Sequence, residues 1–141
     1  MATWFDDTAV LDGLLDIIRQ GSTQVWLIEA YTQGDDYNTV FSNIVADADS
    51  PLTVGDFSAS QAAGAGVGRE MDFLGAAGTA TKDSTLHDTP GGAGTGLHIA
   101  LTNGTDTIYA VTDETSNQPI VDLNPVTFPA FTIRTLQPTQ I

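Results

Sequence analysis

The chain has no cysteine in its 141 residues and only four basic side chains, Arg19, Arg69, Lys82 and Arg134. Without cysteine there are no disulfide staples, thiolate zinc sites or cysteine nucleophiles, and the redox compartment is left open. Four bases against 18 acids leave a formal net charge of −14. Such a surface repels a polyanion over a Debye length of about 8 Å, and it lacks the run of Lys and Arg that would neutralise phosphates. Nucleic acid is therefore not an expected partner. No apolar stretch approaches the ~18 residues of a membrane span. The opening Met1-Ala2-Thr3-Trp4-Phe5-Asp6-Asp7 carries no basic n-region, so neither a membrane partner nor export by signal peptide is expected.

What is present suffices for a packed core. A 41% hydrophobic share in a domain that buries roughly two-thirds of its unfolded surface needs no metal or crosslink. The length fits a single β-rich domain over residues 1–141. Val10, Leu11, Leu14, Leu15, Ile17 and Ile18 recur at i, i+3, i+4 and i+7, with Asp6 or Thr8 placed to cap and Gly21 to terminate. That spacing predicts an amphipathic helix over residues of about 7–20, lying on a sheet.

From residue 25 onward strand signals dominate. Val25-Trp26-Leu27-Ile28-Glu29-Ala30-Tyr31 reads as a central, largely buried strand. Tyr37 to Ala48 reads as a turn or short helix followed by a strand. Arg69 to Leu74 alternates as a one-sided strand, with Gly78 to Lys82 as its expected partner across a Gly75-Ala76-Ala77 turn. Leu97–Thr102 and Thr105–Val111 flank Asn103-Gly104, the preferred two-residue type I′ hairpin turn. That turn sets Thr102 opposite Thr105, Ile99 opposite Ile108 and His98 opposite Tyr109. Leu97, Ile99, Leu101 and Ile108 then share a core face, and Thr102, Thr105, Thr107, His98 and Tyr109 point outward. Pro125 and Pro129 mark an edge strand or one entered through a bend. The expected fold class is mainly β, an antiparallel β-sandwich or barrel of about seven to nine short strands with one N-terminal amphipathic α-helix.

No motif in the chain supports catalysis. Gly64-Ala65-Gly66-Val67-Gly68 echoes a dinucleotide loop but lacks the flanking strand and helix, and its third glycine comes one residue early. Lys82 sits outside any P-loop frame. His87 and His98 have no nucleophile elbow and form no zinc-protease pair. No nucleophile and base can be named, so neither an enzyme nor a cofactor is expected. Fifteen of the 18 acids are aspartate, and Asp47 and Asp49 match the first two positions of a calcium loop. Pro51 and Leu52 break the remainder, leaving solvated acids as the default and no metal site.

The order of these segments resembles a known family. A helix of the Val10-Leu11-Asp12-Gly13-Leu14-Leu15-Asp16-Ile17-Ile18 kind leads to a strand like Val25-Trp26-Leu27-Ile28. A Gly/Ala-rich middle with Gly78-Thr79-Ala80-Thr81 follows, then a hairpin like His98-Ile99-Ala100-Leu101-Thr102-Asn103-Gly104. The ending is Val126-Thr127-Phe128-Pro129-Ala130-Phe131-Thr132-Ile133-Arg134. This outline is similar to small virion structural proteins of tailed bacteriophages, of the capsid decoration, or cement, type. The resemblance implies a protein made in the host cytoplasm and carried on the outer capsid surface of the virion. Its partners would be the major capsid protein and copies of itself, most commonly in a homotrimer.

An acid excess agrees with an exterior site, away from the packaged genome. Because like charge opposes self-association, the contact surfaces are expected to be apolar or neutral. The Gly/Ala-rich residues 61–68 and Pro-rich residues 119–131 are the candidates, with Gly64, Gly66, Val67, Pro125, Phe128, Pro129 and Phe131 as contact residues. A tail or head–tail connector component is the alternative within this class. A β-sandwich carbohydrate-binding module, using Trp4, Trp26 and tyrosines as an exposed platform, is the alternative from another.

Overall fold

The computed structural model describes residues 8–63, 68–84, 96–116 and 118–136. Helix α1 spans Thr8–Gly21 and buries Leu11 and Leu15, as the spacing predicts. Gly21 ends it beneath Tyr109, whose ring occupies the space that a Cβ on residue 21 would need. Strand β1 (Gln24–Ile28) follows, then the short helix α2 (Tyr37–Ser42) and strand β2 (Ile44–Ala48). Asp36 caps α2, its Oδ1 accepting the Thr39 N–H at 2.8 Å. The Thr39 bonds hold the Asp36 carboxyl below its ordinary value because they favour its charged form.

A single 3-10 turn, Val54–Asp56, leads into β3 (Gln61–Ala62) and β4 (Gly68–Phe73). The remaining strands are β5 (Ala76–Ala80), β6 (His98–Thr102), β7 (Ile108–Asp113), β8 (Pro125–Phe128) and β9 (Phe131–Leu136). They form two antiparallel sheets, one of six strands in the order β7-β6-β1-β2-β5-β8 and one of three in the order β3-β4-β9. The fold is thus mainly β and sandwich-like, with one long helix near the N-terminus.

The apolar run in β1 reflects burial on both faces. Val25 and Leu27 join the main core with Leu15, Phe57, Met71, Phe73, Leu101 and Phe128. Trp26 and Ile28 point the other way, into a second cluster with Val40 and Ala100. Helix α2 covers this second face, setting the Tyr37 and Phe41 rings each 5.7 Å from the Trp26 ring. Trp26 is consequently only 2% exposed, which overturns the reading of this tryptophan as an exposed carbohydrate platform. Trp4 lies outside the described residues.

Two strand pairings differ from the sequence reading. Strand β5 does not pair with β4. It lies between β2 and β8 in the large sheet, while β4 pairs with β3 and β9. Gly75, at φ +91°, redirects the chain between sheets in a conformation that side-chain-bearing residues rarely adopt.

The β6–β7 hairpin also has a longer loop and another register. Thr102 pairs with Ile108, Leu101 with Ala110, Ile99 with Thr112 and His98 with Asp113. The cause is Asn103, whose Oδ1 accepts the backbone N–H groups of Thr105, Asp106 and Thr107 at 2.9, 2.9 and 3.0 Å. Its side chain thus takes donors that a two-residue turn would commit to the ladder. As a result Thr102 is buried and Ile108 packs on the Trp26 side, not with Leu97 and Ile99. His98 sets its Nδ1 2.9 Å from Asp113 Oδ1 and its ring against Tyr31, not against Tyr109.

Candidate functional site

Three of the four bases serve as internal ties. Arg69 Nε lies 2.8 Å from Asp12 Oδ1, joining α1 to β4, and Arg134 Nε lies 2.7 Å from Glu70 Oε2, joining β9 to β4. Lys82 Nζ is 3.2 Å from Glu29 Oε1, and Arg19 Nε donates to the Val54 carbonyl at 3.5 Å. With 18 acids against four bases, the net surface charge is acidic. Half-burial pushes the Asp47 carboxyl above its usual value, against the opposing pull of a bond from the Ala48 N–H. Asp49 Oδ1 accepts the Thr79 hydroxyl at 2.7 Å. No cluster of three or more metal-ligating side chains occurs among the described residues.

The seven candidate contact residues fall into different environments. Gly64, Gly66 and Val67 lie outside the described residues. Phe128 is in the main core at 1% exposure, so its side chain cannot meet a partner, and that assignment is corrected. The reason is strand alternation: Phe128 shares the inner face of β8 with Val126, leaving Pro125 and Thr127 outward. Pro125 is exposed at the start of this edge strand.

Pro129 and Phe131 are half-buried and come together at the bend where the chain leaves β8 for β9 in the other sheet. With Ile99, Thr112, Glu114 and Ala130 they line an open cleft of about 320 Å³ between the two sheets. Phe131 is braced from behind by Phe73, ring centroids 5.3 Å apart. Glu114, on the far wall, is only 5% exposed. Its Oε1 accepts the Ser116 N–H at 2.6 Å and its Oε2 accepts Gln118 Nε2 at 3.0 Å.

A second feature lies in the same Pro-rich segment. Leu123 is 78% exposed and has φ +68°, held there by its N–H bond to the Ala80 carbonyl at 3.0 Å and by the Asn124 N–H bond to the Val121 carbonyl. A third is the outer side of α1, where Val10, Leu14 and Ile17 form an exposed apolar stripe.

Sequence reasoning selected the segment but missed Glu114, Gln118 and Leu123. No local signal marked Glu114, and the left-handed turn at Leu123 left no Gly or Asn at that position to find. No helix among the described residues is long and apolar enough to cross a membrane. No protein-family model, curated protein or solved structure matches the chain.

Proposed function

We propose that the protein is a structural virion component, a capsid decoration protein that binds the major capsid protein on the outer surface of a tailed-phage head and stabilises the shell. The observation that carries this reading is Leu123. A leucine in the left-handed region costs about 1–2 kcal/mol relative to a residue that adopts it freely. This one also leaves its side chain in solvent, close in sequence to the exposed Pro125. Both penalties are offset if a partner's apolar surface covers the side chain. The acid excess suits an exterior position, and repetition of a weak contact over a lattice and within a trimer multiplies its hold. The apolar stripe on α1 supplies a further surface for self-association.

The test separates stability from binding. Leu123→Gly relieves the backbone and is expected to stabilise the isolated protein by about 1 kcal/mol while weakening its binding to expanded heads that lack the protein. Light scattering after size exclusion is expected to show a trimer. A monomer at micromolar concentration that leaves such heads bare overturns the proposal, and a ring of six or twelve assigns the chain to the tail or connector instead.

A further inference from the structure

Glu114 is a carboxylate nineteen-twentieths removed from solvent, yet it has no ion-pair partner among the described residues. Its bonds come from two neutral donors, the Ser116 N–H and the Gln118 amide. Buried charges in proteins are ordinarily paired, because desolvating one without a counter-charge is expensive. Glu114 also lies on the wall of the inter-sheet cleft rather than in sealed core. The cleft is open to solvent, so a cation entering it comes up to a wall that includes Glu114.

The remaining walls restrict what that cation is attached to. Ile99, Pro129 and Phe131 are apolar, and Phe131 offers an aromatic ring. The cleft of about 320 Å³ accommodates a long side chain but not a folded element. We infer that the cleft receives an arginine side chain of a partner protein, its methylene stem against Ile99 and Pro129 and its guanidinium between Glu114 and the Phe131 ring. Arginine fits better than lysine because its planar, weakly hydrated head both bonds carboxylate oxygens and stacks on aromatic rings. The partner's charge complements a protein at −14. Asp113 also lines the cleft, but its carboxylate bonds His98 on the other face of the sheet. Glu114 and Asp113 therefore have separable roles. The inference goes beyond the decoration reading and does not depend on the partner being a capsid protein.

The experiment titrates Nα-acetyl-arginine N-methylamide into the full chain and follows backbone amide shifts, with the isosteric citrulline compound as the neutral control. Saturable shifts confined to Ile99, Thr112–Ser116 and Ala130–Phe131 are expected from the arginine compound alone. Glu114→Gln is expected to weaken binding about tenfold or more, the worth of a charge-assisted bond. Asp113→Asn removes the same formal charge and is expected to change binding less than about twofold, as a screened rim charge does. Ala130→Trp, which obstructs the cleft from an exposed position, leaves Glu114 intact and is expected to block binding if Glu114→Gln proves poorly folded. Equal responses to arginine and citrulline, equal losses in Asp113→Asn and Glu114→Gln, or shifts scattered over surface aspartates such as Asp35 and Asp122 would overturn the inference. None of these results depends on whether heads are bound.

Discussion

The side-chain amide of Gln118 pairs with both backbone groups of Thr127: Nε2 donates to the Thr127 carbonyl at 2.7 Å, and Oε1 accepts its N–H at 2.8 Å. Strand β8 is an edge of the six-stranded sheet, and an open edge is a template for pairing with another chain. Here one amide side chain substitutes for a neighbouring strand, and Pro125, which has no N–H to offer, blunts the same edge.

Gln118→Ala is accordingly expected to lower unfolding stability by about 1–3 kcal/mol, since it removes the Thr127 bonds and one donor to Glu114. Urea denaturation measures the loss. Size exclusion at rising concentration is expected to reveal association through the freed edge. An unchanged midpoint would show that the amide contributes nothing.

Gly78 leaves no room for a side chain. A Cβ there would strike the Asp47 carbonyl on one side and the Phe128 ring on the other. Gly78→Ala is expected to cost about 1–3 kcal/mol through overpacking, whereas Gly13→Ala, inside α1 with nothing near its Cβ, is expected to stabilise the protein by about 0.5–1 kcal/mol through helix propensity. Thermal unfolding of the two variants side by side makes the comparison.

Asp47 sets a pH dependence. Its folded-state value is raised above 3.8, chiefly by desolvation. The native state therefore holds the proton more tightly than the unfolded chain, and this group's contribution to stability falls as pH rises through the window from the ordinary carboxylate value to the raised one. Asp47→Asn is expected to raise the melting temperature at pH 7 and to remove that part of the decline. Melts from pH 3 to 7 test it, and an identical pH profile in the variant would contradict the assignment.

Local signals explain which elements were legible. Helix α1 announced itself by periodicity, β1 by its dense apolar run, and α2 and β2 by the mixed spacing of Val40, Phe41, Ile44 and Val45. In each, the forces that form the element act within a dozen residues. The hairpin's strands were legible but its register was not, because one Asn103 side chain outcompetes the preferred turn. The pairing of β5 depended on where Gly75 sends the chain, which alternation alone does not encode. Of the candidate surface, Pro129 and Phe131 were found at the cleft. Phe128 was misplaced although the Val126-Thr127-Phe128 alternation already turned it inward. Glu114 was invisible because its burial is created by the β8–β9 bend, remote in sequence.

The ion pair between Glu70 and Arg134 spans 64 positions of chain, and the whole β4–β9 ladder, from Gly68 with Leu136 to Phe73 with Phe131, shares that reach. During synthesis, Met71 and Phe73 emerge long before Phe131 and Ile133 exist to cover them. The small sheet is thus assembled after translation of β9 rather than as the chain appears. Such distant pairing makes its closure a slow event in folding, and it sets an interval in which a nascent chain exposes sticky surface to its neighbours.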